Sequence, residues 1–170
     1  MDLRQVIRDV PDFPKPGILF KDITPVLADP AAFRAALAGL RDLVAALRFD
    51  KFAAIESRGF LFAAPLAAEL GKGLVILRKP GKLPAATVCE RYALEYGEAE
   101  LQMHTDALAP GERVVVVDDL LATGGTASAA GRLVVRQGGQ VGAWLFLVEL
   151  EALAGRAQLT GAKVFSLVNY

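Results

Sequence analysis

The sequence predicts a mainly parallel α/β sheet with helices on both faces. Three observations carry that expectation. Short apolar segments begin near residues 52, 74, 114, 143 and 164, with helical patterns between most of them. One of these segments, Val114–Val117, is an unbroken valine run without polar alternation. A strand buried on both faces of a parallel sheet has that pattern. Two of the segments run straight into polar, glycine-containing turns with a helical pattern behind them. That is the order in which α/β proteins build ligand sites at strand carboxyl ends.

Size and composition narrow the function classes. At 170 residues the chain is expected to form one domain, 1–170, large enough to bury a core. Its formal net charge is zero, so no nucleic-acid partner is expected. The hydrophobic fraction of 54% is inflated by alanine. No apolar run approaches the roughly 18 residues of a membrane span, and the longest candidate, Phe60–Ala68, contains Pro65. Met1–Asp9 is charged and lacks an apolar signal region, so a cytoplasmic location is expected. The single cysteine, Cys89, excludes an intramolecular disulfide and a cysteine-cluster metal site.

In chain order, Leu3–Val10 has the spacing of a short amphipathic helix, and Pro11, Pro14 and Pro16 then impose a loop. Residues 10–25 are stiffened by proline and are expected to form an ordered surface lid. Asp29-Pro30 is a helix start, a capping acid before a proline at the first helical position. Phe33, Leu37, Leu40, Val44 and Leu47 then recur as an apolar stripe. Phe52–Ile55 is a buried strand that ends in Glu56-Ser57-Arg58-Gly59-Phe60, with a helix over Leu61–Leu70. Arg58 offers a bidentate fork suited to phosphate, and Gly59 permits close backbone approach. Leu74–Leu77 is the third element of this kind, and it leads into Arg78, Lys79 and Lys82, a cationic loop able to clamp an anion. Residues 85–104 read as two edge strands around Gly97, a ribbon that would exclude water from a site beneath it. His104, the only histidine, lies on the opposite face from Leu101 and Met103 and is expected to be structural.

The most informative stretch is Val114–Thr126. Its strand leads into Asp118 and Asp119, acceptors able to hold sugar hydroxyls directly or through a hydrated metal ion. Gly124 and Gly125 let the chain take positive φ, and Thr123 and Thr126 add hydroxyl donors. The amides of residues 122–126 can converge on one anion at the N-terminus of the next helix. The ligand so defined is a phosphorylated sugar with free hydroxyls. A Walker loop is excluded because Thr126 stands where its lysine belongs. A dinucleotide fingerprint is excluded because its acid follows its glycines by about twenty residues, whereas here the acids come first. A helix then runs from about Ser128 to Gln137 and stops at Gly138-Gly139. Ala143–Val148 is a buried strand with Glu149 and Glu151 at its end, and Val164–Val168 is the last strand.

Val114–Thr126 resembles the 5-phosphoribosyl-1-pyrophosphate (PRPP) motif of type I phosphoribosyltransferases. The resemblance implies that Asp118 and Asp119 contact the ribose hydroxyls, and that Ala122, Thr123, Gly124, Gly125 and Thr126 cradle the 5′-phosphate. Val10–Pro25 is similar to the N-terminal hood, here residues 1–30, of the adenine-specific members. By that likeness Ile18, Leu19, Phe20 and Lys21 line the base pocket, with Phe20 stacked on the purine. Lys21 stands where many relatives have arginine. The Ser57-Arg58 turn resembles the family's pyrophosphate loop, which tends to carry a strained backbone, so an unusual peptide geometry is expected within Glu56–Arg58. Arg78, Lys79, Lys82 and Tyr96 are assigned to pyrophosphate on the same ground. Tyr92–Tyr96 looks like the family's flexible catalytic loop, with Glu95 handling the purine proton. The implied activity is purine salvage: adenine plus PRPP gives AMP plus pyrophosphate. Mg2+ would be carried by PRPP and water without a direct protein ligand, and the enzyme would be a homodimer. Two other readings stay open. One is the same reaction on xanthine or guanine. The other is a non-catalytic PRPP-binding regulator, which the lack of net positive charge and the retained Glu95 and basic loop disfavour.

Overall fold

The computed structural model describes residues 1–93 and 98–170, so Glu95 and Tyr96 lie outside the described residues. The chain opens with a 3-10 turn, Leu3–Gln5, followed by an antiparallel hairpin of β1 (Arg8–Pro11) and β2 (Leu19–Asp22). This corrects the helix expected over Leu3–Val10. Leu3 and Ile7 are both buried, as helical spacing suggests. From Arg8 onward, however, the backbone finds its partners across in β2, and long-range pairing overrides the local pattern. Asp22 accepts from the Thr24 amide at 2.9 Å just before the short helix α1 (Thr24–Ala28), whose first two residues end the stretch expected to be a loop.

Helix α2 (Pro30–Val44) begins as predicted, with the Asp29 carboxylate accepting from the amides of Ala31 and Ala32 at 2.7 and 2.8 Å. Its buried edge is Ala32, Ala36, Leu40 and Val44, while Phe33 and Leu37 flank it half-buried. The small alanines bring the helix close to the sheet, so the deepest face is shifted from the bulky stripe.

The remaining elements are β3 (Lys51–Ile55), α3 (Gly59–Leu70), β4 (Gly73–Leu77), β5 (Thr87–Ala93), β6 (Glu98–His104), β7 (Arg113–Leu121), α4 (Gly125–Arg136), β8 (Gln140–Glu149) and β9 (Lys163–Asn169). The five expected strands form one parallel sheet in the order β4-β3-β7-β8-β9. Val114–Val117 are fully buried at its centre, each contributing roughly 1.5 kcal/mol or more of hydrophobic stabilisation. Strand alternation sends Phe52, Ala54, Val115 and Val117 to the core under α2 and α3. Ala53, Ile55, Val114 and Val116 go to the core under α4 and the β5–β6 ribbon. The ribbon is antiparallel and joins the sheet side through the Arg78–Gln102 bridge.

This layering positions the site. Strands β3 and β7 are neighbours, yet the helices that follow them leave to opposite faces. The strand order reverses between them, and a crevice opens at their carboxyl ends.

Candidate active site

Asp118 and Asp119 do not follow the central strand, as the sequence suggested. They belong to it: β7 continues through both acids to Leu121, paired with β8 along its far side. The pairing with β3 ends at Ala54–Val117, one residue before the acids. The acids therefore sit where β7 has lost one neighbour and faces the crevice.

The turn beyond them, Ala122–Gly125, is backbone against backbone. Gly124 has φ +85° and caps α4, a conformation that glycine takes without steric penalty. A Cβ there would lie 2.4 Å from the Gly155 carbonyl oxygen. The unpaired amides at the start of α4 and its dipole favour an anion here. A cavity of about 190 Å³ runs from Arg58 and the acid pair to Thr123–Thr126. Thr126 Oγ1 lies 3.3 Å from the Tyr92 hydroxyl, so the ribbon reaches the edge of the turn.

The turn after β3 adds a cation. A Cβ on Gly59 would lie 2.7 Å from the Val117 carbonyl, so the start of α3 rests directly on β7. That contact lets Arg58 Nε donate to Asp119 Oδ2 at 2.5 Å. The Glu56–Ser57 bond within this turn is cis, the unusual geometry the sequence comparison anticipated. Ser57 is exposed at the rim.

The electrostatics of the two acids diverge. The carboxyl of Asp118 is held well above its ordinary range, first by desolvation and then by the adjacent Asp119. Asp118 as a residue keeps some exposure, but its carboxyl oxygen tucks under Gly59 and accepts from the Asp119 amide at 2.9 Å. Asp119 is buried and has Arg58 as its counter-charge.

The cations of the basic loop part company. Arg78 is held by Glu56, at 3.1 and 3.3 Å, and by the Lys82 carbonyl at 3.1 Å. Its guanidinium shapes the loop. The Lys79 amide also donates to Glu56, at 2.8 Å. The Glu56 carboxyl drops below its ordinary range because the Arg78 and Lys79 hydrogen bonds outweigh the larger single effect of desolvation. Lys79 and Lys82 are exposed, and neither is ion-paired with a carboxylate among the described residues.

The hood approaches the crevice at Arg58. The Phe20 ring centre lies 5.9 Å from the Arg58 guanidinium and 5.1 Å from the Phe13 ring, which meets it edge-on. Ile18 and Leu19 are exposed apolar side chains on the same segment. Lys21 turns the other way, as strand alternation requires. Its ammonium lies 2.6 Å from Asp9 and 3.7 Å above the Tyr170 ring. Sequence reading overlooked Phe13, Glu56 as the partner of Arg78, and Gly155 beneath the glycine turn. For Phe13 the proline-flanked aromatic was a usable signal. The other two depend on contacts between distant segments. His104 accepts from the Ala85 amide at 3.4 Å inside the ribbon, a structural position.

A switch-point crevice with an acid pair and a glycine turn defines a phosphosugar-binding α/β protein. The chain belongs to the phosphoribosyl transferase domain family, whose model matches residues 24–166. Within that family it is 60% identical over 168 residues to the adenine phosphoribosyltransferase of Anaeromyxobacter dehalogenans, covering 99% of this chain and 98% of that one. Its fold superimposes on the crystal structure of adenine phosphoribosyltransferase from Thermoanaerobacter pseudethanolicus with a TM-score of 0.97, at 52% identity and 99% and 98% coverage. The Saccharomyces cerevisiae enzyme, complexed with D-2,5-dideoxy-2,5-imino-altritol 1,6-bisphosphate and adenine, matches with a TM-score of 0.91, at 38% identity and 98% and 96% coverage.

Proposed function

We propose that this protein transfers the 5-phosphoribosyl group of PRPP to adenine, releasing pyrophosphate and forming AMP. The observation that carries the reading is the line Phe20–Arg58–Asp119. An aromatic side chain of the hood lies beside the arginine that holds one acid of the pair, and the glycine turn follows that pair in the chain. A base, a ribose and a 5′-phosphate follow one another in that order in the product. The yeast relative was crystallised with adenine and D-2,5-dideoxy-2,5-imino-altritol 1,6-bisphosphate, which supports these substrate classes.

In this mechanism Asp118 and Asp119 hold the ribose hydroxyls, and Ala122–Thr126 hold the 5′-phosphate. The C1′–O bond to pyrophosphate breaks with its electron pair leaving on oxygen, and adenine N9 bonds to C1′. Glu95 takes the N9 proton. Positive charge grows on the ribose as negative charge grows on the leaving group. Arg58, Lys79, Lys82 and Tyr96 stabilise the pyrophosphate, and Arg78 keeps the basic loop in shape. The ribbon covers the reacting sugar against water. The described residues contain no cluster of three or more metal-ligating side chains. That suits a magnesium ion carried by PRPP and water without a direct protein ligand, since Asp119 is already paired to Arg58. When bound, magnesium supplies charge neutralisation at the leaving pyrophosphate.

The protein is further read as a single domain and a cytoplasmic homodimer. Leu74 and Ile76, each 37% exposed on the edge strand β4, support a subunit contact there. No helix among the described residues is long and apolar enough to cross a membrane.

The test is AMP formation from PRPP and magnesium, with adenine, hypoxanthine, guanine and xanthine offered separately. Turnover with adenine alone is expected. Turnover with a 6-oxopurine would overturn the hood assignment, and no turnover with any base would favour the regulator.

A further inference from the structure

The last residue of β8, Glu149, is a carboxylate with only 4% of its surface exposed. It lies in register with Leu121, at the point where β7 leads into the phosphate turn. Arg156 grips it through Nε and one arm of the guanidinium. Nε donates to Oε1 at 2.9 Å, and Nη2 makes a second, closer bond to Oε2. The remaining arm donates to the Val164 carbonyl at 2.8 Å. The Ser166 hydroxyl donates to Glu149 Oε2 at 2.5 Å. One guanidinium thus ties the end of β8, the start of β9 and the 3-10 turn Gly155–Gln158.

That 3-10 turn backs the phosphate turn. A Cβ on Gly155 would stand 2.1 Å from the Ala122 carbonyl oxygen and 2.9 Å from the Gly124 nitrogen. The two backbones meet with no side chain between them. Ala154, which leads into the contact, has φ +51°, a costly conformation for a residue with a Cβ. Such a conformation persists only where its surroundings over-determine it, and the Arg156 clamp two residues on does so. Arg156 does not line the cavity over the acids and the nest.

We infer that Arg156, locked on Glu149, is a positioning residue that holds Gly155 against Ala122 and Gly124 and so sets the amides that receive the 5′-phosphate. The inference rests on the phosphate assignment above, but not on which base is used. Converging amides act only when aimed within fractions of an ångström, and a misplacement of about 1 Å can cost on the order of a hundredfold.

The experiment measures the Kd of ribose 5-phosphate by calorimetry, together with KM for PRPP and for adenine. The variants are Arg156→Gln, Arg156→Lys and Glu149→Gln. Arg156→Gln is expected to weaken ribose 5-phosphate and raise KM for PRPP about tenfold, while KM for adenine stays within about twofold. Arg156→Lys keeps the charge but loses the fork, and should recover only part of the loss. An unchanged ribose 5-phosphate Kd, or equal rises in both KM values, would overturn the inference. If Arg156→Gln does not fold, Arg156→Lys and Glu149→Gln carry the same comparison. Wild-type protein that binds ribose 5-phosphate without turning over adenine would sink the proposed activity and leave this positioning role standing. Wild-type protein that does not bind it would overturn both.

Discussion

The turn after β7 and the turn after β3 lie side by side at strand carboxyl ends, and each opens into a helix. They face the crevice with different chemistry. Ala122–Gly125 presents backbone, its path set by the positive φ of Gly124 and by the touching Gly155. Glu56–Gly59 presents a side chain, the Arg58 guanidinium, already engaged with Asp119 of the other strand. A backbone site is rigid and depends on what packs behind it. A side-chain site can change partners, so Arg58 can serve Asp119 in the free protein and an anionic substrate in the complex. The first turn is therefore expected to tolerate almost no substitution. The second should respond in degrees.

The strongest way to break this contrast is Gly124→Ala. Positive φ and a Cβ 2.4 Å from the Gly155 oxygen leave no unstrained arrangement. We expect PRPP utilisation, kcat/KM, to fall by about a hundredfold or more, with a loss of stability of about 1–3 kcal/mol. Steady-state kinetics and thermal melting check both, and near-wild-type kinetics would show that the turn is not a rigid nest.

Arg58→Gln comes next. It strands Asp119, which is 5% exposed, beside Asp118. Because Arg58 itself is about half-exposed, the stability loss should stay near 1–2 kcal/mol, below the usual figure for breaking a buried pair. KM for PRPP should rise, and Arg58→Lys should restore part of both effects. An all-or-none response to Arg58→Lys would contradict the graded behaviour expected of this turn.

Asp118→Asn sharpens the comparison from the acid side. The folded protein raises this carboxyl above its ordinary value of 3.8. A raised folded pKa means that the proton binds more tightly in the native state. Stability from this group is complete below the unfolded value and is lost as pH rises through the folded value. Asparagine removes that loss. The variant should melt a few degrees higher than wild type at neutral pH, and the gain should vanish below about pH 4, while PRPP affinity falls. Melting curves across pH decide it, and a gain that persists in acid would exclude this cause.

The smallest effect is expected at Lys21→Met. The ammonium serves Asp9 and Tyr170 and not the face that carries Phe20. Stability should drop by about 1 kcal/mol, and KM for adenine should stay within about threefold. A larger change in adenine KM would place Lys21 in the base pocket.

The same contrast explains what could be read without coordinates. Everything in the β7 turn is contiguous. A valine run and a glycine pair state a buried strand and a tight turn through local stereochemistry alone, although the strand runs on through the two acids to Leu121. The parallel sheet was legible for the same reason, since each of its five strands is an apolar segment of its own. The hood was not. Leu3 and Ile7 keep helical spacing, but Arg8–Pro11 becomes a strand because Leu19–Asp22 returns beside it. The basic loop was legible as charge, but its internal pairing was not. Only the fold brings Glu56 to Arg78 and leaves Lys79 and Lys82 exposed.

By itself, then, the amino-acid sequence determined the five strands of the parallel sheet, the acid pair and the glycine turn, because backbone preference and burial pattern are properties of neighbouring residues. The tertiary structure alone decided which charge meets which. Arg58 reaches Asp119, Arg78 reaches Glu56, and Arg156 secures Glu149 behind the glycine turn. Such pairings join segments up to 61 residues apart. They are set by strand order and by helices leaving the sheet on opposite faces, which no local pattern encodes.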